Sequence, residues 1–337
     1  MRKQRIWRWI ICIMLGGSLF CYRESLGNIL QEIRKSAGPA LGVGIVLALT
    51  AYTLEGVTVG IMMGMIRHRE YPSHSRRRNG VRIAFLCEFY RMATLGSGAG
   101  IAEIHYMREN GIEPGNATAL TMIQYMCKRT AVLLLGGMGF ILLSRSENTS
   151  SLCGEYAVLM GIGCLLSVAV IAVFLCLALS SRIAAGVLWL LGKLSQRFPS
   201  WERRIDGWRE QILLLGSCGK DILRQKKKMA SVLLGQLGKL LLFYSIPMCF
   251  LRGETGLRVA EGIFLTAAAY MLSGVIPTPS GAGSLEVIFV LFFSRYTGSD
   301  RALSVILLFR FATWILPFAV GGVLLLAERV GERKGKI

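Results

Sequence analysis

Histidine is scarce in this chain. There are three in 337 residues, His68, His74 and His105, and their spacing suits no metal. The nine cysteines include no C-x-x-C pair, and Cys12, Cys87, Cys127, Cys164, Cys176 and Cys249 lie in apolar runs. That argues against a zinc or redox framework and for small buried hydrophobes. G-x-S-x-G, phosphate-loop and metal motifs are missing, so no catalytic residue, metal or cofactor is expected. Short alternating segments are also missing, which excludes a membrane β-barrel. Acidic residues are few, 20 against 39 Lys and Arg, for a net charge of +19. In a soluble chain that excess would suggest nucleic acid. Here the basic residues gather between apolar blocks, as topology signals do, and no nucleic-acid partner is expected. Basic clusters beside the cytoplasmic leaflet also attract anionic headgroups.

What the chain does have is apolar length. It is 53% hydrophobic, with a mean hydropathy of +0.52. The expected class is all-α: a polytopic membrane protein with about six spanning helices and two re-entrant hairpins. Basic Met1–Trp9 precedes a first, uncleaved span reaching about Tyr22, with the N-terminus in the cytoplasm. Further spans are expected at Pro39–Ile66, Ala117–Ser144, Leu152–Ser180, Ala230–Leu251 and Ala302–Ala327. The basic stretch 181–229 carries Ile183, Val187, Leu190, Leu191 and Leu194 at helical spacing, and predicts amphipathic helices on the cytoplasmic membrane surface. A merely solvated charged face is the alternative.

A short phrase occurs twice. Residues 97–103 read SGAGIAE and 280–286 read SGAGSLE, each inside an apolar run. Such glycine-rich breaks can turn within a membrane, provided that they are buried in protein or line a cavity. Charge parity sets their sense. Arg67–Arg82 and Ser181–Met229 are both basic enough to be cytoplasmic, and two spans lie between them. The first phrase then enters and leaves from the cytoplasmic side. The same count from the basic tail, Glu328–Ile337, makes the second enter and leave from outside. The result is one transmembrane domain with an inverted repeat: halves 39–144 and 230–327, joined by the linker 181–229. Arg129 lies 26 positions after Glu103 and Arg310 lies 24 after Glu286, each inside a span.

Two hairpin tips near mid-membrane would offer N–H groups and helix ends to an anion. Arg91, Arg129 and Arg310 could add guanidinium groups for a phosphate. Glu55, Glu88, Glu103 and Glu286 could balance them or hold a cationic headgroup. With the turn residues Ser97, Gly98, Gly100, Pro279, Ser280, Gly281 and Gly283, these are the candidate substrate-binding residues. In the plainer reading the charges only pair with one another, and the small residues only allow close helix packing.

Three stretches carry a resemblance. EFYRMATLGSGAGIAEIHYMRENGIEPGNATALTMIQYMCKR, SGVIPTPSGAGSLE and LFRFATWILPFAVGG resemble signatures of the lysylphosphatidylglycerol synthase transmembrane family. The resemblance covers about Pro39 to Ala327, and the second break reads PTPSGAG where relatives often have Pro-Gly-Gly. It implies the lipid-translocating membrane half of the multiple peptide resistance factor, without the cytosolic transferase domain. The implied activity is flipping or binding an anionic, aminoacylated or polyprenyl-linked lipid in the bacterial cytoplasmic membrane, with both termini cytoplasmic. Phosphatidylglycerol lysyltransferase activity, or a role as its subunit in cationic-peptide resistance, is the alternative reading. Small-solute transport is a third. A separate lipid-modifying enzyme and a second copy of the chain are the other partners to be considered.

Overall fold

The computed structural model describes residues 38–66, 73–94, 96, 98–179, 181–197, 202–251, 256–274, 276 and 283–334. The first expected span and the site residues Ser97, Pro279, Ser280 and Gly281 lie outside them. The described residues are helical, without strands. In lipid a chain must satisfy its own N–H and C=O groups, and a helix does this within one segment.

The helices are α1 (Gly38–Met63), α2 (Ser73–Ala93), α3 (Gly98–Glu109), α4 (Pro114–Ser144), α5 (Ser150–Glu155), α6 (Ala157–Leu179), α7 (Ser181–Arg197), α8 (Glu202–Arg224), α9 (Lys226–Phe250), α10 (Val259–Ser273), α11 (Ser284–Thr297), α12 (Ser299–Arg310) and α13 (Leu316–Lys334). A π-helical turn, Phe311–Ile315, joins the last two. Among the described residues five helical runs are long and apolar enough to cross a membrane: α1, α4, α6, α9 and the composite run Ser299–Glu328. The span expected over Leu152–Ser180 is divided at Tyr156, so that only α6 has spanning length. Its apolar side chains stay largely outside the core, with Val158 and Leu165 exposed, as lipid-facing residues are.

The core is built from close helix crossings. A Cβ on Gly56 of α1 would stand 2.2 Å from Val81 Cα, and one on Gly80 of α2 would stand 2.2 Å from Gly56 O. Paired glycines let the two backbones touch, which is how helices associate where water supplies no hydrophobic drive. Helix α9 packs along the other side of α1, and α4 packs on α10.

Polar contacts mark two ends of the bundle. At one, Lys228 Nζ donates to Gly64 O (2.8 Å), Gln225 Nε2 to Met65 O (2.8 Å), and Arg82 pairs with Glu328 (2.6 Å). Asn79, near the start of α2, bonds Asn110, just past the end of α3, so this helix pair begins and ends here. At the other end, Ser146 Oγ donates to Glu261 Oε1 (2.6 Å) and Tyr296 OH to Asn148 O (3.1 Å). Glu261 is in the first turn of α10 and Tyr296 in the last turn of α11. That pair therefore begins and ends at the opposite end from the first.

The stretch 181–229 forms the antiparallel helices α7 and α8. Helix α8 rests on α4 and α6 rather than standing apart, while α7 leaves Trp189 and Leu190 exposed, with Lys193 Nζ 4.2 Å from the Trp189 ring centre.

Candidate functional site

The site grows from buried charges that the helix crossings bring together. Glu55 of α1 is buried beside the glycine crossing, and Lys239 of α9 pairs with it. Lys239 is 1% exposed, so the pair replaces water for both groups. Its ammonium also lies 5.1 Å from the ring centre of Tyr52 and 5.2 Å from that of Phe243. Those ring faces are attractive to a cation. On α2, Glu88 and Arg91 are one turn apart and paired at 2.8 Å.

The second helix pair contributes a tighter unit. Gly283 has φ +85°, which few other residues adopt, and its N–H donates to Glu286 Oε2 at 2.8 Å. Glu286 thereby caps α11. Both of its oxygens accept from Arg310 as well, from Nε at 2.7 Å and Nη2 at 3.1 Å. Such two-pronged pairing fixes orientation as well as charge. Arg310 then stacks on Trp314 at 3.8 Å. Trp314 belongs to the π turn, a form of helix irregularity common at functional sites. Tyr52 OH donates to Thr313 O in the same turn (2.8 Å), tying it to α1.

These groups border one narrow cleft with a free volume of about 20 Å³, lined by Tyr52, Arg91, Lys128, Lys239, Phe243, Tyr270, Phe309, Arg310 and Trp314, among others. Four cations face it. Arg91 precedes the break after α2, and Tyr270 precedes the break after α10, so the approaches to both breaks meet here. A buried cleft with this lining can replace the hydration of an anion with fixed donors, and its aromatic walls suit the apolar or ammonium part of the same molecule.

The sequence candidates are placed unequally. Glu55, Glu88, Arg91, Glu286 and Arg310 belong to the cleft or to the ion pairs around it. Gly98 makes the turn into α3, where its N–H donates to Thr94 Oγ1 at 2.6 Å, and Gly100 faces Thr121. Glu103 is buried on α3, outside the cleft lining, and its Oε1 has no hydrogen-bond partner among the described residues. Arg129 turns away from the cleft: its Nε bonds Tyr125 OH (2.9 Å), and its Nη1 lies against Gly274. Its neighbour Lys128 lines the cleft instead. Sequence reasoning also missed Lys239 and Tyr52. A lone lysine in an apolar span was the available signal for Lys239, since such a charge faces an interior or a cavity. Nothing local marked Tyr52.

At the far end of the bundle, Glu261 caps α10 through the Arg258 N–H (2.8 Å). Burial alone would raise its carboxyl pKa. The hydrogen bonds from Ser146, the Arg258 N–H and Asn148 outweigh that and hold it below the usual carboxylate value. Among the described residues no group of three His, Cys, Asp or Glu side chains is arranged to hold a metal.

No curated protein matches the chain. A family does: residues 6–321 match the one described as Lysylphosphatidylglycerol synthase TM region. With its run of apolar helices, the chain is a multi-pass membrane protein that belongs to that family.

Proposed function

We propose that this protein carries a phospholipid with a phosphodiester headgroup, anionic or aminoacylated, from one leaflet of the bacterial cytoplasmic membrane to the other. In this reading both termini are cytoplasmic, and the α2–α3 and α10–α11 pairs are re-entrant hairpins entering from opposite faces. The observation that carries the reading is the cleft to which α2 and α10, the helices that lead into the two breaks, both contribute, with Arg91, Lys128, Lys239 and Arg310 on its wall. A phosphate diester crossing the bilayer must exchange its water for other donors, and these side chains supply them at mid-bundle. Three of the four cations already hold acids, which keeps the net attraction small. A carrier needs that restraint, because a headgroup bound too tightly is not released. Family membership supports a phosphatidylglycerol-type lipid, including its aminoacyl ester.

The test is leaflet exchange in reconstituted vesicles. Labelled phosphatidylglycerol and its lysyl ester are placed in one leaflet, and their arrival in the other is followed by chemical quenching. Exchange is expected to exceed that of empty vesicles and to fall at least tenfold in Lys128→Gln, the cleft cation without an ion pair among the described residues. Exchange no faster than in empty vesicles, for either lipid, would refute the proposal.

A further inference from the structure

The charges around the cleft balance in number, but they are not equally engaged. Glu55, Glu88 and Glu103 stand against Arg91, Lys128 and Lys239, while Glu286 and Arg310 satisfy each other. Glu55 holds Lys239, and Glu88 holds Arg91. Glu103 holds no cation within ion-pair distance, and its buried Oε1 lacks any partner among the described residues. Lys128 lines the cleft with no ion pair there. Glu103 sits on α3, which packs on α2 and α4. The titratable and charged groups acting on it are Glu55 of α1, Cys87 and Arg91 of α2, Lys128 of α4 and Lys239 of α9. On α3 itself, His105, Arg108 and Glu109 are exposed, and Tyr106 is buried on the same helix.

An anion arriving in this balanced set leaves it one charge negative, far from water, and such an imbalance is costly at low dielectric. A single proton restores the balance. Protonating Glu55 or Glu88 would cut an ion pair, whereas protonating Glu103 cuts none. Resting on the reading of the cleft as a headgroup site, we propose that the anion binds together with one proton, taken from water onto the Glu103 carboxylate. Lipid movement is then coupled to proton movement in the same direction. The new O–H bond forms on Glu103 when the headgroup arrives and breaks when it leaves.

Calorimetric titration of the purified protein with a short-chain, water-soluble phosphatidylglycerol, in buffers of different ionisation enthalpy, counts the protons. At pH values where Glu103 is ionised in the free protein, the expected result is uptake of one proton per lipid bound, with binding weakening about tenfold per pH unit. Glu103→Gln is expected to bind without proton uptake and with no such pH slope, and Glu103→Asp to keep both. Wild-type binding without proton uptake at any pH up to the alkaline end of the range in which the protein stays folded overturns the proposal, as does uptake that persists in Glu103→Gln. If Glu103→Gln fails to fold, the wild-type and Asp counts still decide it. No binding at any pH would overturn the headgroup reading along with this one, so the two failures are distinguishable.

Discussion

The two helix pairs use the same phrase differently, and the difference lies in where the helix starts. In the second pair, Gly283 precedes α11 and Glu286 is its third residue, so its carboxylate reaches back to the N–H of Gly283. In the first pair, α3 starts at Gly98, and Glu103 is already its sixth residue. From there a side chain cannot cap the helix. It is buried in the bundle instead, where its Oε1 has no partner among the described residues. The second pair's acid therefore also takes up a cation from the helix that follows the pair, Arg310 of α12. In the first, Glu88 and Arg91 pair with each other on α2, while Glu103 of α3 holds no cation among the described residues. A motif fixes a local turn, and a shift of three residues in helix start decides whether its acid is structural or available for other work.

The comparison can be broken at several points. The largest effect is expected where charge is shared between helices. Lys239→Met leaves Glu55 as an uncompensated buried charge, and the thermal stability of the purified protein should fall by about 3–5 kcal/mol. Adding Glu55→Gln should recover much of that loss, and failure to recover would mean that the pair is not the unit proposed. Next comes the pair of Glu286 with Arg310. Glu286→Gln keeps the shape but loses the charge on which both Arg310 bonds rest, for roughly 1.5–3 kcal/mol. If Arg310→Lys were silent, the two-pronged geometry would carry no weight.

A smaller effect belongs to a cap outside the cleft. Glu261→Gln should cost about 1 kcal/mol. Because the Glu261 carboxyl is held below its ordinary value, its stabilisation is full above that value and is lost as the pH falls through the depressed one. The wild-type melting temperature should thus drop in acid more steeply than that of Glu261→Gln. The smallest stability effect is expected for Glu103→Gln, which removes a buried acid with no partner at Oε1 among the described residues and should be neutral or slightly stabilising. A large loss there would show that Glu103 is as structural as Glu286.

The periods and lengths of the apolar blocks were legible from the sequence, because crossing a bilayer imposes both. Pro39–Ile66, Ala117–Ser144 and Ala230–Leu251 became α1, α4 and α9 within a few residues at each boundary. Glu55, Glu88, Arg91 and Arg310 were legible as intramembrane charges, which few sequences tolerate without a role. The choice between Arg129 and Lys128 was not. The two are adjacent on one helix, and adjacent positions differ by about 100° in direction, so only packing against α10 decides which faces the cleft. The pairing of Glu55 with Lys239 was hidden for a related reason: 184 residues separate them, and no local pattern encodes a contact between distant helices.

What the sequence determined by itself is the class, an all-α chain of apolar spans, and the two glycine-rich breaks, since both follow from local chemistry repeated along the chain. What only the tertiary structure decided is which charges meet and which remain unengaged. Glu103 and Glu286 end the same motif in sequence, and the helix start and the neighbours around each make one a spare acid and the other a fixed cap.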